Sequence, residues 1–222
     1  MITLLASVLA ATFAAAQTAH PCAPVAGIGC VYVSPKAAAD GSAPLFIYFR
    51  GWVSPYNGSV PVAARLLSAR TAFTSYEMGR AADAAGAVML VTGSSDAAVR
   101  DADIDALEKQ VGRSFSRLIL AAHSGGYVGI AASLPQKRAV ARVIMLDDFY
   151  FDDGPDSLAK RVATLVGKGA ACSGFYTPHN KDRWQQRFQP YLTCAVDAFG
   201  KDDHDAKVKE CLRGYATTGA CR

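Results

Sequence analysis

The stretch from Arg117 to Leu134 constrains the fold of this chain more than any other. It begins with an apolar run over residues 118–122, turns abruptly in small residues around Ser124, and continues as a helix-compatible segment over residues 127–134. Such a strand, tight turn and helix display the serine on strained backbone, as a nucleophile would be presented. The turn reads Ala-His-Ser-Gly-Gly over residues 122–126, and small neighbours suit it because larger side chains would clash.

Strand-like and helix-like segments alternate along the rest of the chain. Buried strands are predicted over 45–49, 87–91 and 141–146, further strands over 170–177 and 193–199, and an edge strand over 30–34. Helices are predicted over 60–86, 97–111 (capped by residues 94–96), 157–167 and 203–214, and around Trp184 and Phe188. This alternation predicts an α/β fold with a mostly parallel sheet. We expect the functional site at the carboxyl ends of its strands.

The amino-terminal residues predict export. Residues 1–16 are apolar and end in Ala14-Ala15-Ala16, which is typical of a cleaved signal peptide with Gln17 as the mature start. This apolar run is shorter than a membrane-spanning helix, which needs about 20 apolar residues. We therefore expect a secreted or periplasmic protein without stable membrane insertion, whose residues 17–222 form a single domain.

The cysteines support the same location. All six follow the proposed cleavage site, and an even number in an exported chain predicts disulfides. A metal site is disfavoured because no C-x-x-C pair or finger-spaced histidine occurs. Proximity along the chain favours the pairs Cys22–Cys30, Cys211–Cys221 and, by elimination, Cys172–Cys194.

A serine nucleophile needs a base and an orienting acid. Of the four histidines, His204 follows the last predicted strand and is preferred as the base, with His179 as the alternative. His123 is a poor candidate because consecutive side chains at a sharp turn point apart. The acid is expected between the nucleophile and the base, where Asp147 directly follows a predicted strand; Asp148 and Asp182 are the alternatives.

An oxyanion hole needs two backbone N–H groups. Gly125, which follows the serine, supplies one. The loop Phe-Arg-Gly-Trp after the strand over 45–49 supplies the other, with the N–H of Trp52 as the candidate donor because Gly51 permits close approach.

Together these motifs resemble the α/β-hydrolase superfamily over roughly residues 28–215: the F-R-G-W loop, the A-H-S-G-G turn, the L-D-D strand end and a late histidine. Two features depart from the family pattern. Ala122 replaces the usual first glycine, and the acid follows the strand directly after the turn helix. The resemblance implies a three-layer α/β/α sandwich, a Ser-Asp-His triad and an acyl-enzyme intermediate. The short chain and the brief loops between the predicted strands leave little room for a large lid. No cofactor is expected.

The expected activity is hydrolysis of a carboxylic ester of a small molecule or a polymer. Cleavage of amide or peptide bonds, including cell-wall substrates, is the first alternative. The second is a non-catalytic exported binding protein on the same scaffold, with Trp52, Tyr56, Tyr127, Phe149 and Tyr150 lining a groove. A nucleic-acid partner is disfavoured because the net charge is only +4 and no basic run is interleaved with aromatic residues. The oligomeric state and the natural substrate are left open by the sequence.

Overall fold

The computed structural model describes residues 22–38, 41–53, 56, 59–134, 136–149, 157–200 and 204–221; the predicted signal peptide lies outside these residues. The described residues form one eight-stranded sheet. Its strands are β1 (Ala23–Val25), β2 (Gly29–Val33), β3 (Leu45–Phe49), β4 (Val88–Thr92), β5 (Arg117–His123), β6 (Ala139–Leu146), β7 (Ala171–Tyr176) and β8 (Ala195–Ala198). The helices are α1 (Val62–Ser75), α2 (Met78–Ala85), α3 (Asp101–Val111), α4 (Tyr127–Ser133), α5 (Leu158–Gly167) and α6 (His204–Thr217). Short helical turns lie at Ser124–Gly126, Pro178–Asn180 and Lys181–Arg183, and a π-helical turn at Trp184–Phe188.

The strands lie in the order β1-β2-β4-β3-β5-β6-β7-β8. β2 is antiparallel to both of its neighbours, and all the other pairs are parallel. The prediction of an α/β fold with a mostly parallel sheet is therefore confirmed. Because the strands from β3 to β8 run the same way, the segments that follow them emerge at one edge of the sheet.

Helices cover both faces of the sheet, so the architecture has three layers. Alternate residues of each buried strand point to opposite faces. On one face, Leu45, Ile47 and Phe49 of β3 join a core that includes residues of α3, α4 and α5. On the other, Phe46 and Tyr48 join a core that includes residues of α1, α2 and α6. Burial on both sides explains why β3 is apolar throughout.

Three local predictions are wrong. The strand at residues 30–34 is not at the edge, because β1 pairs with its outer side. The single helix over 60–86 is two helices, α1 and α2, which meet at Tyr76 and Glu77, where Glu77 adopts a left-handed φ of 51°. The helix predicted over 97–111 begins only at Asp101, so residues 94–96 do not cap it.

The predicted disulfides are all present. Cys22 pairs with Cys30, Cys172 with Cys194 and Cys211 with Cys221. The second of these joins the start of β7 to the residue before β8, and the third closes the carboxyl-terminal end of α6. Both therefore support elements that lead to the candidate site.

Candidate functional site

The turn after β5 places Ser124 in a left-handed backbone conformation, with φ of 52°. β5 ends at His123, the turn Ser124–Gly126 follows, and α4 begins at Tyr127. A non-glycine residue in this region costs about 1–3 kcal/mol and persists only where the surrounding structure enforces it. The strand, strained serine turn and helix anticipated from the sequence are therefore present.

The sheet register brings three strand ends together around this serine. Ala122 of β5 pairs with Phe49, the last residue of β3. His123 pairs with Leu146, the last residue of β6. The loop that begins at Arg50 and the residue Asp147 consequently emerge on either side of Ser124.

The loop after β3 lies against the serine turn. A methyl group on Gly51 would lie 2.9 Å from the carbonyl oxygen of His123 and 3.0 Å from Cβ of Ser124, which leaves room only for glycine. Arg50 ties the loop down on its other side. Its backbone N–H donates to Thr92 Oγ1 at 3.1 Å, and its guanidinium donates to the carbonyl and hydroxyl oxygens of Ser68.

The side chain of Trp52 lies over Gly125. A methyl group on Gly125 would overlap the indole ring, so glycine is required there as long as the indole keeps this position. Trp52 is nevertheless 59% exposed. It therefore forms an apolar rim beside Ser124 rather than part of the core.

Asp147 is held by hydrogen bonds to its carboxylate. It too has a left-handed φ, of 53°. Oδ1 accepts from the backbone N–H of Thr177 at 2.9 Å, and Oδ2 accepts from the Thr177 hydroxyl at 2.8 Å. Burial by itself raises the pKa of this carboxyl, but hydrogen bonds from His204 and Thr177 outweigh burial and lower the pKa below its usual value. Asp147 is therefore ionised at neutral pH.

His204 completes the hydrogen bonding of this carboxylate. Its Nδ1 lies 2.6 Å from Oδ2 of Asp147, although the two residues are 57 positions apart in the chain. The His204 side chain is 29% exposed and that of Asp147 only 2%, so one end of the pair is buried and the other reaches the surface. Ser124 and His204 both belong to the part of the chain that the structure describes, and no hydrogen bond joins the Ser124 hydroxyl to His204.

The alternative acids and base occupy other positions. Asp148 is fully buried next to Asp147. Asp182 is exposed in the turn Lys181–Arg183, and His179 is exposed in the preceding turn, Pro178–Asn180. The carboxylate that accepts the His204 hydrogen bond is that of Asp147.

The aromatic residues proposed to line a groove differ in their exposure to solvent. Trp52 and Tyr56 are exposed, whereas Phe149 is fully buried and packs against Trp184 and Phe188. Tyr150 lies outside the described residues. Phe149 therefore serves the core, and a groove built from all of these residues is not present.

Several residues at the site escaped sequence reasoning. Thr177 and Asn180 follow β7, and Asn180 Nδ2 donates to the Asp147 carbonyl oxygen at 3.2 Å. The Tyr76 hydroxyl donates a hydrogen bond to Asp205 Oδ1 at 2.6 Å. Asp205 directly follows His204 in the sequence. A usable signal existed for Thr177, which is a polar residue at the end of a strand. No local pattern marks Tyr76.

Among the described residues, one group of side chains has the spacing to bind a metal ion: Glu210, Cys211 and Cys221. Its two cysteines are joined in a disulfide, so their sulfur atoms are not thiolate ligands. Among the described helices, none is both long and apolar enough to cross a bilayer. No protein-family model matches the chain, and a search of curated proteins finds no significant match.

Proposed function

We propose that this protein is an exported serine hydrolase that cleaves carboxylic esters, with Ser124 as nucleophile, His204 as base and Asp147 as the orienting acid. The observation that carries the proposal is the 2.6 Å hydrogen bond between Asp147 and His204, at the strand edge where Ser124 is held on strained backbone. The order of the three residues in the chain, nucleophile, acid and base, is that of the α/β-hydrolases. We assign the fold to that superfamily on the same grounds.

The chemistry follows from the pairing of His204 with Asp147. An ionised Asp147 carboxylate can only accept a hydrogen bond from Nδ1, and this pairing leaves Nε2 of His204 to act as the base. As Ser124 Oγ attacks the ester carbonyl, its proton moves to Nε2, and the Asp147 carboxylate stabilises the imidazolium without taking the proton. The tetrahedral intermediate collapses when His204 returns that proton to the leaving alcohol. Water then releases the acid from the acyl-enzyme by the same steps.

The Ser124 hydroxyl must approach His204 for this transfer. Catalytic hydrogen bonds are often long in free enzymes and tighten when substrate binds. We expect the Ser124 hydroxyl to close on His204 in the same way when an ester binds, since Ser124 is half-buried and the His204 side chain is 29% exposed.

The developing oxyanion requires donors near Ser124. We assign the backbone N–H groups of Gly125 and Trp52 to this role, because the loop after β3 lies directly against the serine turn. One such donor is worth about 3 kcal/mol of transition-state stabilisation.

An open site favours a wide range of acyl groups. Trp52 is 59% exposed beside the nucleophile and offers an apolar surface to the acyl part of an ester. Amides and peptides carry the same acyl part, so this surface does not separate them from esters. We place small or polymeric carboxylic esters first because an alcohol is a better leaving group than an amine. Parallel assays with p-nitrophenyl esters, anilides and a casein digest would rank these classes.

Substitution of Ser124 tests the proposal. We expect Ser124→Ala to abolish both p-nitrophenyl ester turnover and covalent labelling by a fluorophosphonate probe, because both need the hydroxyl. Ser114→Ala is the matched control, since Ser114 is an exposed serine on the loop before β5. Undiminished turnover in Ser124→Ala would refute the assignment, and a folded wild-type protein that does not label would favour a binding protein instead.

Export is tested separately. We expect amino-terminal sequencing of the protein recovered from the culture medium or periplasm to begin at Gln17. The three disulfides are consistent with an oxidising compartment.

A further inference from the structure

His204 is the first residue of α6, so its position depends on how the start of that helix is held. Two contacts hold it against the junction between α1 and α2. The Tyr76 hydroxyl donates to Asp205 Oδ1 at 2.6 Å, and Lys209 Nζ lies 2.9 Å from Glu77 Oε1. The first two turns of α6 are thus tied to a neighbouring helix pair.

His123 supports the His204 ring itself. The two imidazole rings pack with centroids 4.4 Å apart at an interplanar angle of 38°. His123 is only 3% exposed, and its backbone is fixed as the last residue of β5. Its side chain therefore offers a rigid surface against which His204 rests.

The surroundings of His123 link it to the first pair of contacts. The Tyr76 ring meets it edge-on, with centroids 5.5 Å apart. His123 Nε2 lies 3.7 Å from Asp205 Oδ1, the oxygen that accepts the Tyr76 hydrogen bond. This buried nitrogen has no hydrogen-bond partner among the described residues. His123 therefore meets His204 and Tyr76 through ring contacts and not through a hydrogen bond of this nitrogen.

The charge state of His123 suits a neighbour that becomes a cation. Burial, together with the nearby charge of His204, lowers the pKa of His123 to about 3, so the ring is neutral at neutral pH. A neutral ring exerts no charge repulsion on a neighbouring cation, whereas a second imidazolium would. His204 can accordingly become an imidazolium without repulsion from the ring beneath it.

We propose that His123, Tyr76 and Asp205 form a brace that positions His204 for proton transfer from Ser124. The proposal rests on the proposed function, because it assigns these residues to the orientation of its base. All three are positioning residues, since they act through His204 and do not touch the reacting atoms.

Substitutions of His123 separate a positioning role from simple packing. Misplacement of a reacting group by about 1 Å costs on the order of a hundredfold in rate, so we expect His123→Ala to lower kcat and the fluorophosphonate labelling rate by about that factor. The KM for p-nitrophenyl acetate should change little, because substrate contacts are unaltered. His123→Phe restores an aromatic surface and should recover most of the lost rate. Tyr76→Phe should give an intermediate loss.

A spectroscopic signature supplies a readout independent of turnover. The proton shared by His204 Nδ1 and Asp147 should give a low-field proton NMR resonance, assigned by its absence in Asp147→Asn. We expect the resonance to broaden or vanish in His123→Ala and to persist in His123→Phe. Ile104→Ala is the control for lost packing, because Ile104 is fully buried in the core on the other side of the sheet.

The outcomes are distinguishable. A wild-type protein that neither labels nor turns over esters would refute the proposed function, and the brace with it. The brace alone would be refuted if the wild-type protein labels and a folded His123→Ala variant labels at the same rate and keeps its low-field resonance. Equal rate losses in His123→Ala and Ile104→Ala would also overturn it, since the effect would then be one of stability.

Discussion

The burial of His123 predicts acid sensitivity of the fold well above the pH at which carboxylates protonate. In the folded protein the pKa of His123 is lowered from 6.5 to about 3, chiefly by burial. The unfolded chain therefore binds a proton at this residue below pH 6.5, and the folded protein does not until the pH approaches 3. Because protons bind preferentially to the unfolded state in this window, the free energy of unfolding falls as the pH falls from 6.5 toward 3.

The magnitude at pH 5 depends little on the exact folded value. With an ordinary pKa of about 6.5, protonation of His123 at pH 5 stabilises the unfolded state by about 2 kcal/mol, against about 0.2 kcal/mol at pH 7. Any folded pKa well below 5 gives nearly the same result. The carboxyl of Asp147, whose pKa is lowered below its usual value, adds a further loss only below about pH 4.

Urea unfolding at pH 7 and pH 5 measures this loss. We expect wild-type protein with intact disulfides to lose about 2 kcal/mol between the two pH values through His123, and His123→Phe to lack that contribution. His179→Phe is the matched control because it makes the same substitution at an exposed histidine, in the turn Pro178–Asn180. An equal pH dependence in wild type and His123→Phe would show that His123 is protonated in the folded state, which refutes the reasoning.

Two substitutions at the strand edge give further tests. Gly125→Ala keeps the backbone N–H but displaces the Trp52 indole, so ester turnover should fall roughly tenfold or more. In a Trp52→Ala background, where there is no indole to displace, Gly125→Ala should lower turnover little further. Equal losses in both backgrounds would contradict this. Asp147→Asn should lower kcat by about four orders of magnitude, whereas Asp182→Asn should match wild type in the same ester assay. The opposite ranking would assign the acid to Asp182.

The errors in the predicted elements have physical causes, one of them local and one of them tertiary. The sequence pattern does not predict β1, because this strand has only three residues and includes Pro24, which is tolerated in an edge strand but removes a ladder donor. The break between α1 and α2 carries no glycine or proline signal. Glu77 adopts the left-handed conformation there, and its carboxylate pairs with Lys209 of α6. Tertiary contacts therefore support a break that propensity alone would not place.

The candidate site also has one part that is local in the sequence and one part that depends on the tertiary structure. The serine turn is a local feature, since it depends on a strand, small neighbours and a helix within 18 residues of sequence. The pairing of His204 with Asp147 is not local, because the two residues lie 57 positions apart. Chain order could rank His204 above His179, but only the packing of α6 against the sheet brings its imidazole to the carboxylate.

By itself the sequence determined the alternating α/β pattern, the cysteine pairs and the display of Ser124, because periodicity, proximity and backbone strain are properties of short stretches. The tertiary structure decided which carboxylate accepts the His204 hydrogen bond and what lies beneath the His204 ring. His123 shows the difference most clearly. Its place beside Ser124 made it a poor base, and only the folded chain reveals it as a buried, neutral surface against which His204 packs.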